Sequence, residues 1–161
     1  MELLTRYFDF SDLRPDQSWS LLNWCRDNGG DEFTLLGLVC PEETERMKQF
    51  FAALQESALP PAPRRQLYAR QGEEFIREVD LWRLTDSSIR LLQEALPKGF
   101  LTREVDLDLW LEDLTVYRSG EFMMGVVTHE TGGVLRVSEQ ELCQLRATGF
   151  RDCDEHPWIG F

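Results

Sequence analysis

The chain has 161 residues and a formal net charge of −12 at pH 7, with 42% hydrophobic and 29% charged residues. This length and composition are typical of one globular domain with a hydrophobic core. The surplus of acid excludes nucleic acid as an expected partner, because proteins bind nucleic acid mainly through basic contacts to phosphate. No apolar run approaches the roughly 20 residues that a membrane span requires.

The compartment is predicted from the N-terminus and the cysteines. Position 2 is an acid, and no basic segment precedes an apolar run, so the sequence does not begin with a secretory signal peptide. None of the four cysteines forms a C-x-x-C pair, and Cys25 and Cys40 lie in apolar settings. We therefore expect reduced thiols and a cytoplasmic protein.

The N-terminal half is predicted to alternate strands and helices. Residues 3–10 indicate a strand, and the apolar run 33–40 indicates a buried strand. Between them Pro15 begins a helix, and Asn28-Gly29-Gly30 ends it. The apolar face of this helix is formed by Trp19, Leu22 and Cys25.

A second amphipathic helix is predicted to begin at Pro41, with Glu42 and Glu43 in its first turn. Its buried face follows helical spacing and comprises Met47, Phe50, Phe51 and Leu54. The proline-rich segment 57–65 then connects this N-terminal βαβα part to a C-terminal part rich in strands.

A pentapeptide occurs twice in the middle of the chain, at residues 77–81 and 103–107. Between the copies, Thr85 or Asp86 can cap a helix that Pro97 ends. A strand, a helix and a second strand would make the copies parallel neighbours. Residues 73–84 also fit a helical period, and we favour a strand there.

The stretch 103–130 predicts a long antiparallel hairpin, because apolar and polar residues alternate on both sides of Ser119-Gly120. A two-residue turn there would place Tyr117 opposite Phe122 and Val116 opposite Met123. Glu112-Asp113 interrupts the alternation and indicates a bulge. Without a bulge, Trp110 would face His129.

The remaining elements complete an α+β fold. Gly132-Gly133 predicts a turn before a third strand at 134–137, and Ser138 with Glu141 predicts a capping box for a last helix. The aromatic tail is expected to dock on the body. We predict a single domain with a mixed, mostly antiparallel sheet of about six strands, three to four helices and a C-terminal β-meander.

Motifs for metal or cofactor binding are weak. Asp106 and Asp108 would share one strand face, but no loop has the spacing of a calcium site. Cys153 and His156 form C-x-x-H without a zinc pattern around it. Neither a dinucleotide-binding motif nor a phosphate-binding loop occurs. We therefore expect no metal and no cofactor.

His129 is the residue on which an enzymatic hypothesis depends. It could act as a base with Glu130, Asp108 or Glu112, in a small hydrolase or a metal-dependent enzyme. The alternative is an ordinary hydrogen-bonded histidine beside a turn, and no other catalytic pattern supports the first interpretation.

The acidic arm of the hairpin suggests a binding function instead. Carboxylates around an aromatic anchor are what a basic partner surface would recognise, although a solvated sheet face would look the same. We therefore expect a small acidic binding protein, similar in character to an immunity-type or other inhibitor. The candidate partner-binding residues are Glu104, Asp106, Asp108, Trp110, Glu112 and Asp113.

Overall fold

The computed structural model describes residues 2–9, 13–37, 43–57, 64–70, 73–100 and 108–155. The strands are β1 (Leu4–Asp9), β2 (Glu32–Gly37), β3 (Arg64–Arg70), β4 (Glu73–Val79), β5 (Trp82–Arg83), β6 (Leu111–Arg118), β7 (Glu121–Val127) and β8 (Gly132–Val137). The helices are α1 (Pro15–Asp27), α2 (Glu45–Leu54), α3 (Asp86–Ala95) and α4 (Glu139–Ala147).

The predicted α+β class is confirmed. Six strands form one sheet in the order β1-β8-β7-β6-β2-β5, and every pairing within it is antiparallel. The C-terminal β-meander corresponds to β6, β7 and β8, which are neighbours in the sheet as well as in the chain. Alternate residues of these strands join residues of all four helices in one hydrophobic core.

The N-terminal helices follow the predicted apolar spacing. Leu22 and Cys25 are buried on α1, and Gly29 adopts a left-handed φ of +90° beyond its end. The start of α2 differs from the prediction, because its first residue is Glu45. The hydroxyl of Thr44 accepts a hydrogen bond from the Met47 amide at 3.1 Å, so Glu43 precedes the helix. Pro41 lies outside the described residues.

Between residues 73 and 84 the chain forms the strands β4 and β5 rather than a helix, as predicted. The hairpin of β3 and β4 forms its own two-stranded sheet, and Val79 pairs with Arg64 at its open end. Residues 77–79 of the first copy of the repeated pentapeptide therefore have β3 as an antiparallel partner. The second copy lies outside the described residues, and its predicted pairing stays a prediction.

The hairpin of β6 and β7 closes at the predicted turn, where Ser119 and Gly120 both have positive φ, as a type I′ turn requires. Tyr117 lies opposite Phe122, as expected. The predicted pairing of Val116 with Met123 is wrong, because the register shifts by one residue and Val116 lies opposite Met124. Met123 is the extra residue.

The second register shift lies at the predicted bulge. Thr34 pairs with Thr115 and Leu36 with Glu112, so one residue of β2 faces two of β6. Asp113 is one of the two and has a φ of +53°. The bulge prediction is confirmed. The strand begins only at Leu111, so the predicted strand position of Asp108 is wrong and Asp108 lies in a turn.

The predicted turn at Gly132-Gly133 is wrong, because both glycines lie in β8. The chain turns earlier, through a 3-10 segment at 128–130 and Thr131, which has a φ of +59°. Gly133 is required by packing: an added Cβ would lie 2.0 Å from the Phe8 ring. Phe150 contacts the same ring edge to face, with centroids 5.2 Å apart, so the start of the tail docks as expected.

Arg118 connects three elements at the hairpin end of the sheet. Its guanidinium donates to the Asn28 carbonyl at 3.2 Å and forms an ion pair with Glu141. Burial by itself raises the pKa of Glu141, but hydrogen bonds from Ser138 and Arg118 outweigh burial and hold that pKa below its usual range. Beside them, burial raises the pKa of the Cys25 thiol to about 12.

Gly133→Ala should destabilise the fold by roughly 1–3 kcal/mol, because the Phe8 ring must leave a fully packed position. Urea denaturation measures the free energy of unfolding. Phe8→Leu should recover part of the loss in the double variant, since a smaller side chain leaves room for the methyl group. Equal losses with and without Phe8→Leu would contradict the proposed clash.

Glu141→Gln should lower the free energy of unfolding by roughly 1–3 kcal/mol at neutral pH, because charged hydrogen bonds are lost. A carboxyl with a lowered folded pKa stabilises above its unfolded pKa of about 4.3. The difference from wild type should therefore shrink as pH falls below about 4. Glu139→Gln, an exposed acid of the same helix turn, should cost less than about 1 kcal/mol and serves as the control.

Candidate functional site

The bulge divides the predicted acidic arm into an exposed part and a buried part. Asp113 is only 3% exposed. Its carboxylate accepts the Thr128 amide at 2.9 Å, and its own amide donates to the Thr128 hydroxyl at 3.0 Å. A buried carboxylate held by backbone amides has a structural role. Asp113 is therefore not available to a partner, which corrects its assignment to the binding surface.

The exposed part begins with Asp108, in the turn before β6. The Thr44 hydroxyl donates a hydrogen bond to the Asp108 carbonyl. Thr44 is also the N-cap of α2, so one side chain holds the turn against the start of that helix. The contact adds Glu43 and Glu45, both exposed, to the neighbourhood of Asp108.

Trp110 and Glu112 lie next along the chain, and both are half-buried. The indole nitrogen of Trp110 donates to the Glu112 carboxylate at 2.8 Å, which fixes the orientation of both side chains. The Trp110 ring also packs against the hydrophobic core. It is therefore a rigid aromatic group with acid beside it, which is the arrangement that an interface anchor needs.

We call this region the acidic edge. Its described members come from two segments that are far apart in the sequence: Glu43, Glu45, Asp108, Trp110 and Glu112. The last three are among the binding residues predicted from the sequence, and the first two are not. A threonine before a helical pattern indicates a cap, but no local pattern reveals that its hydroxyl also bonds a distant turn.

Several ion pairs among the described residues lie outside the acidic edge. Arg26 pairs with Asp27 and Asp86, and Arg118 pairs with Glu141. Beside β1, at an edge of the sheet, Asp152 lies between Arg6 and Arg146. These contacts commit several of the chain's arginines to acids outside the acidic edge.

Other predicted site residues are placed only in part. Glu104, Asp106 and His156 lie outside the described residues. His129 belongs to the 3-10 segment after β7, next to the buried pair of Asp113 and Thr128, and Glu130 is exposed. The structure does not describe the His129 side chain, so its predicted role as a base stays a hypothesis.

No protein family, curated protein or solved structure matches this chain. Within the described ranges, no three His, Cys, Asp or Glu side chains come together in a group that could hold a metal ion. Among the helices that the structure describes, none has the length and apolar character needed to cross a membrane.

Asp113→Ala should lower the free energy of unfolding by roughly 2–4 kcal/mol, since it leaves the buried Thr128 amide unpaired and because alanine tolerates a positive φ less well than aspartate does. Asp113→Gly should cost less, because glycine accepts that φ. Asp113→Asn should cost least, because the amide oxygen can still accept the bond. Urea denaturation at neutral pH gives the ranking.

The order of the three variants is the informative result. If Asp113→Asn were as damaging as Asp113→Ala, the negative charge itself would be required and the hydrogen-bonding account would be contradicted. Thr128→Val, which removes the hydroxyl that accepts the Asp113 amide, should fall between these values.

Proposed function

We propose that this protein is a small acidic binding protein that engages a basic surface of a partner protein through its acidic edge. The observation that carries the proposal is the hydrogen bond from Thr44 to the Asp108 carbonyl. It brings the acids before and within α2 to the same place as the acidic turn and Trp110. Glu104 and Asp106, predicted from the sequence, would extend the same surface.

Charge and shape support this function together. A net charge of −12 speeds encounter with a basic partner through long-range attraction. Long-range attraction gives no specificity by itself, and a fixed aromatic ring supplies it. The Trp110 indole, held by Glu112 and by the core, can pack against a partner while its neighbours meet positive charges.

An inhibitor of the immunity type, acting in the cytoplasm on a basic toxin or enzyme, would have these properties. Such a protein blocks its target by filling a basic cleft with carboxylates. This finer assignment is supported by the size and the charge of the chain, which are shared by proteins of many kinds.

The test is a comparison of two triple variants of equal charge in affinity capture from a native lysate of the source cells. Glu43→Gln, Glu45→Gln and Asp108→Asn neutralise the acidic edge. Glu2→Gln, Glu121→Gln and Glu139→Gln neutralise exposed acids at the hairpin end of the sheet. Mass spectrometry quantifies each basic protein that is retained.

We expect wild type and the hairpin-end variant to retain the same basic protein. The acidic-edge variant should retain at least roughly threefold less, because three exposed ion pairs at about 0.2–1 kcal/mol each together contribute at least about 0.6 kcal/mol. Raising the salt from about 0.1 M to about 1 M should release the partner. If both variants lose it equally, or if wild type retains none, the proposal is wrong.

A further inference from the structure

Among the residues that the structure describes, the outer edge of β1 is covered by one isolated bridge rather than by a strand. β1 is the first strand of the sheet, and all six of its residues pair with β8 on the inner side. On the outer side Cys153 forms an isolated antiparallel bridge with Tyr7. The Tyr7 amide donates to the Cys153 carbonyl at 3.0 Å, and the Cys153 amide donates to the Tyr7 carbonyl at 2.8 Å.

Side chains hold the covering segment, residues 150–155, beside this bridge. The Asp152 side chain is 2% exposed and accepts hydrogen bonds from Arg6 at 2.5 Å and Arg146 at 2.7 Å. Burial alone raises the pKa of Asp152, but the bonds from the two arginines outweigh burial and lower it. Phe150 packs on the Phe8 ring at one end of the segment.

We propose that residues 150–155 are a displaceable guard of the sheet edge, and that the strand which pairs with the uncovered edge is β1 of a second copy of this chain. Exposed strand edges are templates for pairing with another chain, and proteins commonly cover them. The guard would therefore keep the protein from joining its sheet to that of a second copy.

The register favours self-pairing. Because Tyr7 directs both backbone groups outward, its neighbours Arg6 and Phe8 direct theirs to β8. An antiparallel pair of β1 strands centred on Tyr7 places each Arg6 opposite the Phe8 of the other copy. The two arginines do not face each other, so no like charges oppose the pairing.

The decisive experiment compares the masses in solution of chains that end at different residues. A chain ending at Glu155 keeps the guard and should be a monomer, like the full chain. A chain ending at Phe150 keeps only the first residue of the guard and should form a dimer. Adding Tyr7→Pro to the shorter chain should restore the monomer, because proline removes the outward amide while the amides that face β8 remain.

If the chain ending at Phe150 folds and is a monomer, the proposal is wrong. If the chain ending at Phe150 is still a dimer with Tyr7→Pro, the proposal is also wrong, because the two copies would then not associate through this edge. If the shortened chain fails to fold, Cys153→Pro in the full chain removes the amide that donates to Tyr7 and should produce the same dimer.

Hydrogen exchange in the intact protein tests the guard without any substitution. If the guard opens separately from the sheet, the Tyr7 amide should exchange at least about tenfold faster than the amides of Arg6 and Phe8. Equal exchange at the three positions would show that the segment opens only when the whole domain unfolds, and would overturn the proposal.

Discussion

The reciprocal pair of hydrogen bonds between Asp113 and Thr128 determines how the acidic arm of the hairpin is used. It fixes the bulge in β6 to the residue that follows β7. On one side of Asp113 the strand is buried in the sheet. On the other side Glu112 and Leu111 still pair with β2, and the chain that precedes them exposes Asp108 to solvent. A buried carboxylate therefore serves the surface only indirectly, by fixing the position of its exposed neighbours.

The distribution of ion pairs explains how an excess of acid is compatible with a stable fold. Several arginines connect different elements through ion pairs. Arg118 joins β6 to α4. Arg6 of β1 and Arg146 of α4 both bind Asp152 in the C-terminal segment. Acids in these contacts are balanced locally and partly desolvated. Other described acids, such as Glu43, Glu45 and Asp108, lie at exposed positions, where water screens their charge and repulsion within the folded state costs little.

The periodicity of the sequence was sufficient to predict most of the fold. Alternation predicted the β6–β7 hairpin and its turn, and helical spacing predicted the buried faces of α1 and α2. The errors fall where a single contact overrides the local pattern. Gly132-Gly133 has the composition of a turn, but Gly133 is required because the Phe8 ring packs against its backbone. The Met123 shift depends on a bulge that leaves both Met123 and Met124 buried.

The site was predictable only in part, for the same physical reason. Trp110 and Glu112 are two residues apart, so their pairing is within reach of sequence patterns. Thr44 and Asp108 are separated by 64 positions, and their contact exists only after α2 has packed beside the sheet. The burial of Asp113 could not be predicted from the sequence either, because a carboxylate in an acidic run is ordinarily solvated.

The acidic edge and the outer edge of β1 are separated by the sheet, so a change at one has little effect on the other. Three strand spacings lie between β6 and β1, which is roughly 14 Å at about 4.8 Å each. The Debye length at physiological ionic strength is about 8 Å, so charge changes at Asp108 hardly affect the Asp152 ion pairs. A partner on the acidic edge would thus leave the guard in place. The association of two copies through β1 would likewise leave both acidic edges open to partners.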